Sequence, residues 1–209
     1  MPVTINGDGS IVGLAVGGLP DGSVDADTLA TNAVTTVKIA NSAVTSIKTS
    51  GLGGLTVADQ WRITSDATMG TDTVTNFTSN WERADTYGAA QLGSGMTESS
   101  GIFTFPSTGI YHIIANQVFS RTSAANRYAH LQLRVTTDNS SYNVAATGGA
   151  GFGEAYQQNT ASLSFLFDVT NTSTHKVRFS AYTNRSSVVY RGSTDANTNS
   201  YTFIKLGET

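Results

Sequence analysis

Gly101-Ile102-Phe103-Thr104-Phe105-Pro106-Ser107-Thr108-Gly109-Ile110-Tyr111-His112-Ile113-Ile114-Ala115-Asn116-Gln117-Val118-Phe119 is the stretch on which the fold turns. A short apolar run, 102–105, is punctuated by Pro106 and Gly109 and followed by a long one. In a strand, alternate residues point to opposite faces. One face of the long run carries Tyr111, Ile113, Ala115 and Phe119. The other carries Ile110, Ile114 and Val118, with His112 and Asn116 among them. A strand apolar on both faces is expected to be covered on both. In a two-sheet sandwich one face meets the core, and the other is free to meet a second subunit or a covering loop. Ile110, His112, Ile114, Asn116 and Val118 are therefore the candidate subunit interface, with an oligomer, a trimer in the reading below, as the expectation.

Moving outward, further runs alternate with period two. Leu163, Phe165, Phe167 and Val169 alternate with Ser162, Ser164, Leu166 and Asp168, and Leu131, Leu133 and Val135 with His130, Gln132 and Arg134. Val177 and Phe179 alternate with Lys176, Arg178 and Ser180, and Phe203 and Lys205 with Ile204 and Leu206. Clusters of Asn, Ser, Thr and Gly separate these runs at 136–141, 170–174 and 192–200. Short strands with such punctuation indicate an all-β sandwich or barrel.

Composition agrees. The 209 residues include 31 Thr, 23 Ser, 14 Asn and 21 Gly, which favours strands and tight turns over long helices. With no Cys there is no disulfide framework and no thiolate metal site. A net charge of −3 argues against nucleic acid as a partner. No apolar run approaches the ~18 residues that a spanning helix needs, so membrane insertion is not expected. Met1-Pro2-Val3-Thr4-Ile5-Asn6 lacks the basic start and apolar stretch of a secretory signal.

The chain divides near residue 60. Every aromatic residue lies from Trp61 onward. Residues 1–60, Gly-rich and without aromatics, could hardly build a core of their own. They also carry the whole net charge of −3, while 61–209 is neutral. The expected organisation is an N-terminal attachment segment at 1–22, a repeat shaft with a Gly-rich hinge (Gly51 to Leu55) at 23–60, and a globular head at 61–209. Within the extension a ten-residue repeat places Val24, Val34 and Val44 in register, as well as Leu29 with Ile39 and Lys38 with Lys48, and Ile47 falls in the third copy. A repeat this short must stack on neighbours or on other chains. Two conformations compete. A 4-3-4-3 spacing through Ala26, Ala30, Ala33, Val37, Ala40, Val44 and Ile47 suits a helical seam, whereas Thr and Val density with a period of ten suits extended segments broken by turns. The extended shaft is favoured. Ile5-Asn6-Gly7-Asp8-Gly9-Ser10-Ile11 carries tight-turn signals and reads either as a peg that orders on a partner or as a frayed terminus.

Residues 101–113 resemble the central signature of the C1q/tumour-necrosis-factor-like jelly roll: a Gly-hydrophobe-Phe strand, a Pro, a Gly before an aromatic, then a long strand. Ser200-Tyr201-Thr202-Phe203-Ile204-Lys205-Leu206 is similar to the last strand of that family, and Asn80-Trp81 and the strand at Val177 fall in matching places. The resemblance covers about 130 residues of the body. It implies a ten-strand jelly roll, a homotrimer, and binding through exposed loops. The Cys residues and calcium sites of some members have no match here. The Ala-Val-Thr-x-x-Lys-Ile-Ala repeats behind Met1-Pro2-Val3-Thr4-Ile5-Asn6-Gly7 resemble those of bacteriophage fibre proteins, which implies a virion location after assembly in the host cytoplasm.

No catalytic constellation stands out, and no enzyme activity or cofactor is expected. His112, His130 and His175 lack metal-site spacing. Gly148-Gly149-Ala150-Gly151-Phe152-Gly153 lacks the Lys-Ser/Thr of a phosphate loop and reads as a surface loop. Asp66, Asp72, Glu82 and Asp85 form a loose acidic group whose spacing cannot place a glycosidase pair. Asn76 and Asn171 head glycosylation-type triplets that read as turns. Binding is easier to argue, because loops carry recognition while strands hold them. Arg121, Asn126, Arg127, Asn184, Arg185, Tyr190 and Arg191 are the candidate receptor-binding loop residues, suited to polar or glycan surfaces. The expectation is a homotrimeric phage fibre, on tail or head. Residues 1–22 would contact other virion proteins, and the head a host-surface glycan or protein. The alternatives are a cellular C1q-like adhesion module and, behind it, a glycan depolymerase.

Overall fold

The computed structural model describes residues 4–5, 7, 11–12, 29–31, 33–40, 43–44, 54–122, 127–184 and 187–209. Two compact units emerge, Met1–Gly53 and Gly54–Thr209. The body thus begins at Gly54 and not at Trp61. The reason is packing: Val57 and Asp59, assigned by aromatic content to the extension, are buried in the body's core.

In the N-terminal unit, strands β1 (Thr4–Ile5) and β2 (Ile11–Val12) pair antiparallel; of the turn-signal residues between them only Gly7 is among the described residues. In the repeat, the Ala33 N–H donates to the Ala30 carbonyl at 2.9 Å, and ten residues on Ala43 donates to Ala40 at 3.0 Å. Between these turns lies a single 3-10 turn, Thr36–Lys38, whose Lys38 ammonium donates to the Ala33 carbonyl at 2.6 Å. The described part of the repeat therefore consists of turns and contains no α-helix. Leu29, Val34, Ile39 and Val44 are exposed in the single chain, and Val24 and Ile47 lie outside the described residues.

The body contains β3 (Ala58–Ile63), β4 (Ala67–Thr68), β5 (Val74–Asn76), β6 (Trp81–Arg83), β7 (Thr97–Ser99), β8 (Ile102–Thr104) and β9 (Gly109–Arg121). It continues with β10 (Tyr128–Thr136), β11 (Asn143–Gly151), β12 (Gln158–Val169), β13 (Lys176–Tyr182), β14 (Val188–Tyr190) and β15 (Ser200–Gly207). One sheet runs β11-β10-β13-β8-β7, with β5 also on β13. The other runs β6-β3-β15-β9, with β12 on the opposite edge of β9, and β14 pairing with β9 at 119–121, past the end of its pairing with β15, and carrying β4. All of these pairings are antiparallel. The chain crosses between sheets after β4, β5, β6, β8, β9, β11, β12 and β13, which is the Greek-key habit of a jelly roll.

The two signature glycines have steric causes. Ser100 (φ 53°) and Gly101 (φ 81°) form the two-residue turn between β7 and β8, and a Cβ on Gly101 would run into the Phe77 carbonyl. Both positive φ values match the twist of a type I′ hairpin. Gly109 (φ 138°) opens β9, where a Cβ would meet the Lys205 side chain.

Between the sheets lies an aromatic core. Phe103 meets Trp61 at 5.5 Å, Trp81 at 4.9 Å, Phe179 at 5.8 Å and Phe203 at 5.2 Å, mostly edge-on. Such edge-to-face pairs contribute beyond their burial. The Gly-rich run at 148–153 is corrected by the structure: Gly148 to Gly151 belong to β11, not to a loop. A Cβ on Gly148 would strike the Ser162 backbone, so glycine lets β11 approach β12 closely. Phe103→Ala is expected to lower unfolding stability by about 3–5 kcal/mol. Tyr87→Ala, at an exposed position of the body outside the strands, should change it by less than about 0.5 kcal/mol. Urea melts of the full chain measure both, and equal midpoints for the two variants would contradict the core assignment.

Candidate functional site

Ile110, His112, Ile114, Asn116 and Val118 share the outer face of β9, and each is half-buried by its neighbouring strands. Their inward counterparts Tyr111, Ile113, Ala115 and Phe119 are fully buried. Register extends the apolar face sideways. His112 stands opposite Leu166 of β12 on one side and Ile204 of β15 on the other. Leu166 and Leu206 are 58 % and 52 % exposed, and no described residue covers them. Asn116 donates to Ser200 Oγ at 3.3 Å, so the polar member of the row is held within the sheet. The result is a mixed face, in which Ile110, Ile114, Val118, Leu166 and Ile204 stand among His112, Asn116, Ser162, Ser164, Asp168, Ser200 and Thr202.

The candidate loop residues divide. Arg121 and Tyr190 are corrected: neither is an exposed loop residue. Arg121 ends β9, 4 % exposed, with its guanidinium on the Phe152 carbonyl at 3.5 Å. Tyr190 lies in β14 with its ring 4.4 Å from Phe77, and burial pushes its phenol pKa up. Alternation turned both side chains inward, which a loop assignment could not register. Arg191 remains accessible and pairs with Asp66 at 2.7 Å. Arg127 is exposed, and its carbonyl accepts from the Phe152 N–H at 2.7 Å. Asn184 Oδ1 is buried without a hydrogen-bond partner. Asn126 and Arg185 lie outside the described residues. The described residues flanking the two segments meet: the Thr122 N–H and hydroxyl both donate to the Ser187 carbonyl, at 2.9 and 3.1 Å.

The loose acidic group is occupied by structural work. Glu82 and Asp85 both pair with the buried Arg62, at 2.8 and 2.7 Å. Asp66 holds Arg191, and Asp72 accepts from the Tyr182 hydroxyl at 3.1 Å. Sequence reading missed Asp59, the buried carboxylate that accepts from Trp61, Arg83 and the Met96 N–H. Its place two residues before Trp61 gave no chemical signal. Asp168 shares the outer row of β12 with Leu166, opposite Ile110.

Comparison with known proteins bears on the fold. No family model matches the chain, and no curated protein matches it. Solved structures do. The tumour necrosis factor Eiger from S. frugiperda aligns at a TM-score of 0.54 and 10 % identity, over 73 % of this chain and 94 % of that one. Murine APRIL at pH 5.0 aligns at 0.52 and 12 %, over 72 % and 98 %. The globular domain of zebrafish complement 1qA aligns at 0.50 and 11 %, over 73 % and 99 %. The body is an all-β sandwich of the TNF/C1q jelly-roll type, as the 101–113 signature implied.

One group supports a pH prediction. Asp138, in the β10–β11 turn, accepts from the Ser140 and Ser141 N–H groups at 2.8 Å each and from the Thr136 hydroxyl at 2.7 Å. These donors hold its carboxyl well below the ordinary carboxylate range, the Ser141 N–H foremost. A carboxyl depressed by folding stabilises above its unfolded pKa of about 4 and loses that contribution as pH falls. Asp138→Asn should therefore be less stable than the wild type near neutrality, with the gap closing below about pH 4. Urea midpoints across that range measure it, and a gap that does not change with pH would reject the carboxylate's role.

Proposed function

We propose that the chain is a non-enzymatic structural protein of a bacteriophage virion, a homotrimeric fibre with a C-terminal attachment head. The carrying observation is the group of apolar side chains, Ile110, Ile114, Val118, Leu166, Ile204 and Leu206, on the outer face of the β12-β9-β15 sheet, of which Leu166 and Leu206 are exposed in the single chain. Burying it against two further copies removes apolar surface from water at roughly 25 cal/mol per Å². The repeat supports the same reading. Its apolar residues are exposed in one chain, and a ten-residue unit gains burial only from neighbours. Residues 1–22 would join the fibre to other virion proteins, and the head would meet a host-surface glycan or protein. Three modest sites on one rigid head gain avidity without a tight single contact. The TNF/C1q-type fold equally favours a cellular adhesion or binding module, which needs no repeat shaft.

The test is the mass of the full chain by light scattering. The expected value is three times 21.9 kDa. Ile114→Lys with Leu166→Lys should give a folded monomer, because an unpaired charge buried at an interface costs several kcal/mol. A monomeric wild-type chain would remove the fibre reading and leave a single-copy binding module.

A further inference from the structure

The outer face of the other sheet carries chemistry that neither the fold nor the assembly uses. Arg134 of β10 and Arg178 of β13 stand directly opposite each other across the ladder. Like charges so placed repel, and neither guanidinium has an ion-pair partner among the described residues. Arg134 donates from Nε to Ser180 Oγ at 3.1 Å and from Nη2 to Gln132 Oε1 at 3.0 Å, which leaves part of its fork unused. Arg178 lies over the Tyr142 ring, its guanidinium carbon 4.2 Å from the centroid. Arg178 Nε and the Tyr142 hydroxyl are both buried, and both lack a hydrogen-bond partner. Buried polar atoms without partners are uncommon, and two of them flank one pair of unpaired cations. The acid nearest in the chain, Asp138, is already committed to its turn. All these donors share one missing component, an oxyanion.

The same face continues along the strands to an aromatic group. Tyr128 and Tyr182 stack at 6.5 Å, and His130, opposite Tyr182 in the ladder, meets Tyr128 at 4.9 Å. Gln132 and Ser180 lie between the aromatic group and the arginines. Four residues of strand separate Tyr182 from Arg178, about 13 Å. We propose that this strip binds a carboxylate-bearing polysaccharide, with the carboxylate of a uronic-acid-type sugar on Arg134, Arg178 and Tyr142 and adjoining sugar rings against Tyr128, His130 and Tyr182. The charge-assisted fork supplies selectivity for the acid, and the rings supply apolar contact. This deepens the attachment reading by naming a ligand class, and it rests on that reading only for its biological purpose.

The probe is an oligogalacturonate, with its neutral methyl ester as the control, titrated into full-length protein at matched ionic strength. The readout is the Nε–H nuclear magnetic resonance of the arginines. Saturable shifts of Arg134 and Arg178 with the acid, and none with the ester, are expected. Arg178→Gln or Arg134→Gln should weaken binding about tenfold and still melt cooperatively, since the repulsion each removes offsets the Tyr142, Ser180 or Gln132 contact it loses. Tyr182→Ala should weaken it less. No saturable shift with the acid, or equal shifts with the ester, overturns the site. Equal affinity for inorganic sulfate overturns the sugar assignment. A trimer that does not bind the acid defeats this site and leaves the fibre reading intact, whereas a monomer that binds it does the reverse.

Discussion

The body depends on one packing constraint, the closure of two sheets over the Phe103 ring. Phe103 projects from the short β8 into a cage of Trp61, Trp81, Phe179 and Phe203, which come from β3, β6, β13 and β15. Strands distant in sequence thereby share one contact centre. A cluster of rings meeting edge-on admits few alternative arrangements, because the ring quadrupoles prefer particular approaches and dense cores tolerate little displacement. The turn at Ser100-Gly101 and the Gly109 opening serve this closure, since they let the chain place β8 in one sheet and β9 in the other.

Around that core the buried charged groups are met by acids, bases or hydrogen-bond acceptors. Asp59 sits between the Trp61 indole and the Arg83 guanidinium, Arg62 between Glu82 and Asp85, and Lys205 against Ser107 and Glu208. Removing one partner would strand a buried charge, which is far costlier than the pair is stabilising. Asp59–Arg83 and Arg62–Glu82 tie β3 to β6, while Arg62–Asp85 and Lys205–Glu208 tie a core strand to the segment beyond one. Against this background the unpaired Arg134 and Arg178 differ in kind. The buried Arg62 and Lys205 head groups have found acids, whereas Arg134 reaches only the neutral Ser180 and Gln132, and Arg178 Nε and the Tyr142 hydroxyl find no partner.

Period-two alternation was legible throughout. The inward rows of β9, β10, β12, β13 and β15 are those expected from the sequence, including the unusual inward Lys205. The five outer residues of β9 were legible as a shared face for the same reason. Loop residues were not. Arg121 and Tyr190 read as exposed because they border Asn- and Ser-rich segments, yet the strands extend over them and alternation turns them in. Gly148 to Gly151 read as a loop because glycine is a poor strand former. Their purpose, a close approach of two backbones, is a relation between β11 and β12 that is invisible along the chain. The body's start was misplaced for a similar reason: aromatic content marks Trp61, but Val57 and Asp59 are buried by residues far away in sequence.

The sequence by itself determined the all-β class, the central two-faced strand, the jelly-roll signature and the separation of a repeat-bearing extension. These are local properties, carried by side-chain period, turn residues and composition. Only the tertiary structure decided which polar groups are spent and which are left over. The acidic group that might have suggested catalysis proved to be bound to Arg62, Arg191 and Tyr182. The arginines that alternate innocently along β10 and β13 proved to face each other. Satisfaction of charge and hydrogen bonding depends on cross-strand register, and register is set by the packing of the whole sandwich.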